Sequence, residues 1–147
     1  MIRKIITNPM LLKQTSTDVE YAESIDIIKD LEDTLKEQKY GIGLSAIQIG
    51  IPKRVSIIRY NDKKVDLINP IITERYDRIR VQKEGCLSFP GLYVDTARYK
   101  QITLFMKGKQ YIYNLETDGL ICIAIQHEID HQNGTIYLQR KWQRGDR

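Results

Sequence analysis

The segment from Gly119 to His131 constrains this chain more than any other, because it runs apolar from Leu120 to Ile125 and then places two histidines and a glutamate: Gln126-His127-Glu128-Ile129-Asp130-His131. Residues four apart share a face of an α-helix, so His127 and His131 can reach one metal ion, with Glu128 beside them as a general base. They are the only 2 histidines in the chain. The plainer alternative, an i, i+4 pair on a solvated face, fits the flanks badly. An apolar run of this kind buries a helix on most sides, and buried polar groups need partners.

A catalytic site of this kind takes a third protein ligand and keeps one position open. Downstream of His131 the metzincin protease pattern is followed as far as Gly134, but Tyr137 stands where a third histidine is required. No glutamate follows Glu128, and Asp146 is the acid nearest the C-terminus. The third ligand is therefore expected upstream.

Two cysteines are available. Cys122 lies inside the apolar run and reads as a small hydrophobe. Cys86 lies in Glu84-Gly85-Cys86-Leu87-Ser88-Phe89-Pro90, where glycine permits close backbone approach and proline ends the segment. Cys86 is the better ligand. Two neutral imidazoles and one thiolate leave a divalent ion with net positive charge, able to act as a Lewis acid, and by themselves would suggest zinc.

Three segments together resemble the peptide deformylase family: Gly41-Ile42-Gly43-Leu44-Ser45-Ala46-Ile47-Gln48, Glu84-Gly85-Cys86-Leu87-Ser88 and His127-Glu128-Ile129-Asp130-His131. Only Ser45 departs from that pattern, standing where the family usually has alanine. The resemblance implies a metal held by Cys86, His127 and His131, with Glu128 moving the proton. It also implies that the Gln48 side-chain amide and the Leu87 backbone N–H stabilise the oxyanion. The reaction implied is removal of the formyl group from the N-terminal formylmethionine of nascent peptides, releasing formate. The implied ion is ferrous iron, with zinc, nickel or cobalt able to take its place. Ile42, Leu120, Ile123 and Ala124 flank the motif residues and are candidates for the methionine pocket, while Gly43 and Gly85 would let an extended peptide pair in β fashion.

Two other readings compete with this one. A zinc-dependent peptidase would share Glu128 but leaves Gln48 and the Glu84-Gly85-Cys86 segment without a role. A structural metal site would need a fourth Cys or His to close it, and none remains.

The 147 residues suit a single catalytic domain with a substantial core. No disulfide framework is expected, and Met1 to Ile6 shows no apolar signal region. The expected location is the cytoplasm of a bacterium or of a virus-infected bacterial cell, or an organelle if a transit peptide had been removed. No membrane partner and no specific nucleic-acid partner is expected. The net charge of +4 is modest, but Arg140, Lys141, Arg144 and Arg147 cluster around Trp142. That cluster reads as a solvated tail, with transient ribosome contact through its RNA as the sharper alternative. Since 16 residues follow His131, the C-terminal helix of longer bacterial members is expected to be missing.

Periodicity predicts a helix over 18–39, opened by a Thr17/Glu20 capping box and stopped at Gly41. Strands are predicted at 54–59, 65–69, 71–74, 102–105 and 110–114, with turns at Asn61-Asp62 and Lys107-Gly108. Thr117 or Asp118 should cap the metal-motif helix, which should reach Gln132. The expected class is α+β, and the resemblance implies antiparallel β-sheets surrounding a central metal-binding helix, with an N-terminal helix.

Overall fold

A computed structural model describes residues 1–145. Arg147 and Asp146, singled out above, lie outside the described residues. The fold is α+β, built on two antiparallel three-stranded sheets. One contains β1 (Gly43–Ser45), β2 (Val55–Tyr60) and β3 (Lys63–Ile68); the other contains β4 (Ile71–Glu84), β5 (Val94–Met106) and β6 (Lys109–Asn114). Four α-helices among the described residues accompany them: α1 (Pro9–Leu12), α2 (Tyr21–Lys36), α3 (Leu115–Asp118) and α4 (Leu120–Gln132).

The strand β2 is buried along both faces, which explains its run of apolar residues. Val55 and Ile57 pack with Leu31 and Leu35 of α2, while Ile58 joins a second cluster with Leu104 and with Ile121, Ile125 and Ile129 of α4. Nearly every residue of α4 is buried, as its all-round apolar sequence requires. The metal motif therefore sits on a helix enclosed by both sheets.

Both predicted turns are hairpin turns with left-handed residues, Asn61 and Asp62 at φ 48° and 64°, and Lys107 and Gly108 at φ 52° and 73°. That pairing matches the twist of the strands they join. Other expectations need correction. Helix α2 begins at Tyr21, after Glu20, because the Thr17 backbone is already engaged: its N–H donates to the Pro52 carbonyl and its carbonyl accepts from Arg54. It ends at Lys36, ahead of Gly41, where Glu37 and Gln38 turn their N–H groups back to Thr34 and Leu35. Neither Thr117 nor Asp118 caps α4. Both belong to α3, capped by Asn114, and Gly119 at φ 58° breaks the chain between the two helices.

The strands β4 and β5 run far beyond the short stretches predicted for them. The predicted solvated tail also folds back: Arg140 forms a two-pronged ion pair with Asp130, and the Trp142 N–H donates to the Asp95 carbonyl. No helix among the described residues is long and apolar enough to cross a membrane.

Candidate active site

On α4, His127 and His131 lie one turn apart, their ring centroids 4.9 Å from each other. Cys86 follows the end of β4 and enters from the opposite sheet. Its Sγ stands 3.5 Å from His131 Nε2, and the donor atoms of Cys86, His127 and His131 all lie within 4.8 Å of one another. Bonds of ~2.3 Å to sulfur and ~2.0 Å to nitrogen at a tetrahedral angle would separate S from N by about 3.5 Å. The three donors thus fit a divalent ion with one position open. Cys122 takes no part: it is buried in the core, and burial pushes its thiol up to about 11. Tyr137 is not a ligand either, because its hydroxyl donates to the Leu92 carbonyl at 2.7 Å while its ring packs against His127.

Behind the histidines stands a buried ionic chain that the motif alone does not reveal. His127 Nδ1 lies 2.7 Å from Glu84 Oε2, which leaves Nε2 for the metal. Arg98, only 2% exposed, grips Glu84 through Nε and Nη2 at 2.9 and 2.6 Å and reaches Asp130 through Nη1 at 2.6 Å. Thr96 adds a hydroxyl to Glu84 Oε1 at 2.7 Å. Burial would raise the Glu84 carboxyl, but the His127 and Arg98 hydrogen bonds outweigh it and hold it well below the usual carboxylate range. In the metal-free protein burial likewise opposes charge on His127, and is overcome by Cys86 and Glu84, which hold its pKa well above the ordinary value, so that metal binding would displace a proton from Nε2. His131 has no such partner. Its Nδ1 is buried without a hydrogen bond among the described residues, and burial with the nearby His127 and Arg98 drives its pKa well below normal.

Glu128 is buried beside the ligands, and burial raises its carboxyl above the ordinary value against the opposing pull of His127 and a Ser45 hydrogen bond. A carboxyl so placed is suited to taking and returning a proton. Gln48 sits on the turn that follows β1, with Oε1 accepting the Ser45 N–H at 2.9 Å. Its Nε2 consequently points to Ser88 Oγ at 3.0 Å and towards Cys86 Sγ at 3.6 Å, so the donor end of the amide faces the metal ligands. The Leu87 N–H follows Cys86 directly, its side chain anchored against the α2 core cluster.

The two motif glycines occupy crowded places. A Cβ on Gly43 would come within 2.7 Å of Glu128 Oε2, and one on Gly85 within 2.7 Å of the Tyr93 ring. Among the candidate pocket residues, Ile123 is buried one turn before His127, and Leu120 is 48% exposed at the start of α4. Ala124 belongs to the second core cluster, and Ile42 packs against it.

A helix supplying two imidazoles and a buried carboxylate, completed by a thiolate and a pre-aimed amide donor, defines a metal-dependent hydrolase. The polypeptide deformylase family profile matches residues 2–146. Peptide deformylase 1 of Bacillus subtilis is 35% identical over 147 residues, covering 95% of this chain and 89% of the relative. The Aquifex aeolicus enzyme is 39% identical, covering 95% and 88%. The crystal structure of a Synechococcus elongatus peptide deformylase in complex with actinonin superposes with a TM-score of 0.83 at 32% identity, covering 97% of this chain and 80% of that one. The chain belongs to the polypeptide deformylase family.

Proposed function

We infer that this chain hydrolyses the N-formyl group from the N-terminal formylmethionine of nascent peptides, releasing formate. The observation that carries this reading is the convergence of Gln48 Nε2 and Glu128 on the Cys86–His127–His131 donors. A divalent ion held there supplies Lewis acidity and makes water a stronger acid.

Glu128 accepts the proton as the water oxygen attacks the formyl carbon. Negative charge grows on the formyl oxygen, for which we assign Gln48 Nε2 and the Leu87 N–H as donors. Collapse breaks the C–N bond, and Glu128 returns the proton to the departing amine. The enclosed position of Glu128 and of the ligands on α4 limits competing solvent.

The edge strand β1, which among the described residues pairs only with β2, offers Gly43 to an extended peptide, with Gly85 as a second point of approach. Ile123 and Leu120, on the helical face that leads to His127, and Ile42 beside β1 are the residues we place around the methionine side chain. Ala124 supports them from the core. Ferrous iron is the ion we assign, in line with the sequence resemblance, while zinc, nickel and cobalt(II) suit the same donors. Cytoplasmic residence and transient contact at the ribosome, near the emerging N-terminus, accompany this reading.

The test is formate release from a formyl-methionyl peptide by protein purified without oxygen, with bound metal measured in parallel. Glu128→Gln should keep its metal and lose at least a hundredfold in turnover. Cleavage of unformylated peptide bonds at comparable rate would instead favour a peptidase.

A further inference from the structure

Ser45 is the position at which the first motif carries an unexpected hydroxyl, and no step above uses that hydroxyl. The side chain is fully buried. Its Oγ lies 2.9 Å from Glu128 Oε1, 3.1 Å from the Glu128 carbonyl oxygen and 2.6 Å from Ser56 Oγ. Ser45 and Ser56 are direct partners in the β1–β2 register. From α4, Gln132 Nε2 completes the group by donating to Ser56 Oγ at 2.8 Å.

The chemistry of these groups limits the direction of each bond. A carboxylate only accepts, an amide nitrogen only donates, and each hydroxyl has a single proton. With the Ser45 proton directed to Glu128 Oε1, the nearer of its two Glu128 acceptors, the short contact between the serines must be donated by Ser56. Ser56 in turn accepts from Gln132. The donors therefore run in one order, Gln132 to Ser56 to Ser45 to Glu128, and end on Oε1. The other carboxylate oxygen, Oε2, has no hydrogen bond among the described residues and faces the space that the missing Gly43 side chain leaves open.

We propose that Ser45 is a positioning residue for the hydrolysis: its hydroxyl anchors Oε1 of Glu128 and thereby assigns the proton transfer to Oε2. This rests on the deformylase reading of the site. The proton leaves water for Oε2 as the water oxygen's electron pair bonds the formyl carbon. It passes from Oε2 to the amine nitrogen when the C–N bond breaks. The Ser45 proton stays on Oγ throughout. The same residue's main-chain N–H fixes Gln48, so one position orients both the base and the oxyanion donor.

The experiment compares Ser45→Thr with Ser45→Val, two side chains of nearly one shape that differ by the hydroxyl, together with Ser45→Ala. Turnover is expressed per bound metal ion, with KM, melting temperature and the infrared carboxylate band assigned by its loss in Glu128→Gln. Ser45→Val and Ser45→Ala should lose about tenfold in kcat, the order of one hydrogen bond to a charged group. KM should stay within about twofold, metal content should be unchanged, and the carboxylate band should shift. Ser45→Thr should restore kcat and the band towards those of the parent. Equal turnover and an identical band in Ser45→Thr and Ser45→Val would overturn the proposal, as would a loss that merely follows lost metal or lost folded protein. A parent enzyme that fails to release formate would overturn the deformylase reading itself, and the infrared band would still report whether the Ser45–Glu128 bond exists.

Discussion

His127 Nδ1 meets Glu84 Oε2 at 2.7 Å, although 43 residues separate them along the chain. Glu84 is held in turn by both prongs of Arg98, so the imidazole is oriented by a carboxylate that cannot itself turn. This gives His127 a defined tautomer and leaves His131, whose Nδ1 is unpartnered among the described residues, oriented by packing and by its Nε2 contact with Cys86. The ligands are thus unequal in how firmly each is held.

Glu84→Gln should weaken metal retention by about 10- to 100-fold, measured by competition with a chelator. It should also change how stability responds to acid. The Glu84 carboxyl is held below its ordinary value of 4.5 in the folded protein, so its contribution is fully present above that pH and is lost as pH falls towards the folded value. Thermal melts of metal-free protein should decline below pH 4.5 in the parent, and less steeply in Glu84→Gln. An unchanged acid limb would contradict the pairing.

Arg98→Met leaves Glu84 and Asp130 without their shared cation in a buried place. Breaking a buried pair from one side costs about 3–5 kcal/mol. Denaturant titration should show a loss of that order; a change below about 1 kcal/mol would mean that the two carboxylates find other partners or water.

The cysteines should separate cleanly. Cys86→Ser replaces a soft thiolate ligand with a neutral hydroxyl, so metal content and formate release should fall together. Cys122→Ser should leave both largely intact, at a modest stability cost in the α4 core. Equal effects on metal content at the two positions would overturn the ligand assignment.

Gln48→Ala removes one oxyanion donor and should lower kcat by on the order of a hundredfold, about 3 kcal/mol, with metal content unchanged and KM little altered. Gln48 also ties the Ser45 N–H and the Ser88 hydroxyl, so some loss of melting temperature is expected as well. Normal turnover by the folded fraction would reduce Gln48 to a scaffold.

Gly43→Ala places a methyl carbon 2.7 Å from Glu128 Oε2, closer than a carbon and an oxygen can approach. The carboxylate must rotate away, and kcat should drop more than tenfold while bound metal stays the same, since one ångström of displacement at a reacting group can cost ~100-fold. Retention of full activity would show that Oε2 has room to move without consequence.

Local chemistry made part of this site legible in the sequence. His127, Glu128 and His131 obey a spacing that a single helix enforces, and the apolar run before them demanded burial, so both could be read without knowing the fold. The glycine and proline around Cys86 distinguished it from Cys122 for an equally local reason. The hairpin turns were legible because left-handed backbone favours a short set of residues. The length of β4 was not. It is an edge strand exposed on both faces over much of its length, so its charged residues carry no alternation to read. The roles of Glu84, Arg98 and Ser45 were hidden for a different reason. Ser45 and Glu128 are 83 residues apart, and neither residue's neighbours encode the other. What the sequence determined by itself was which side chains are able to bind a metal and move a proton. Only the packing of both sheets around α4 decided which partners hold those groups, because a hydrogen bond between distant residues exists only once burial has excluded the water that would otherwise compete for it.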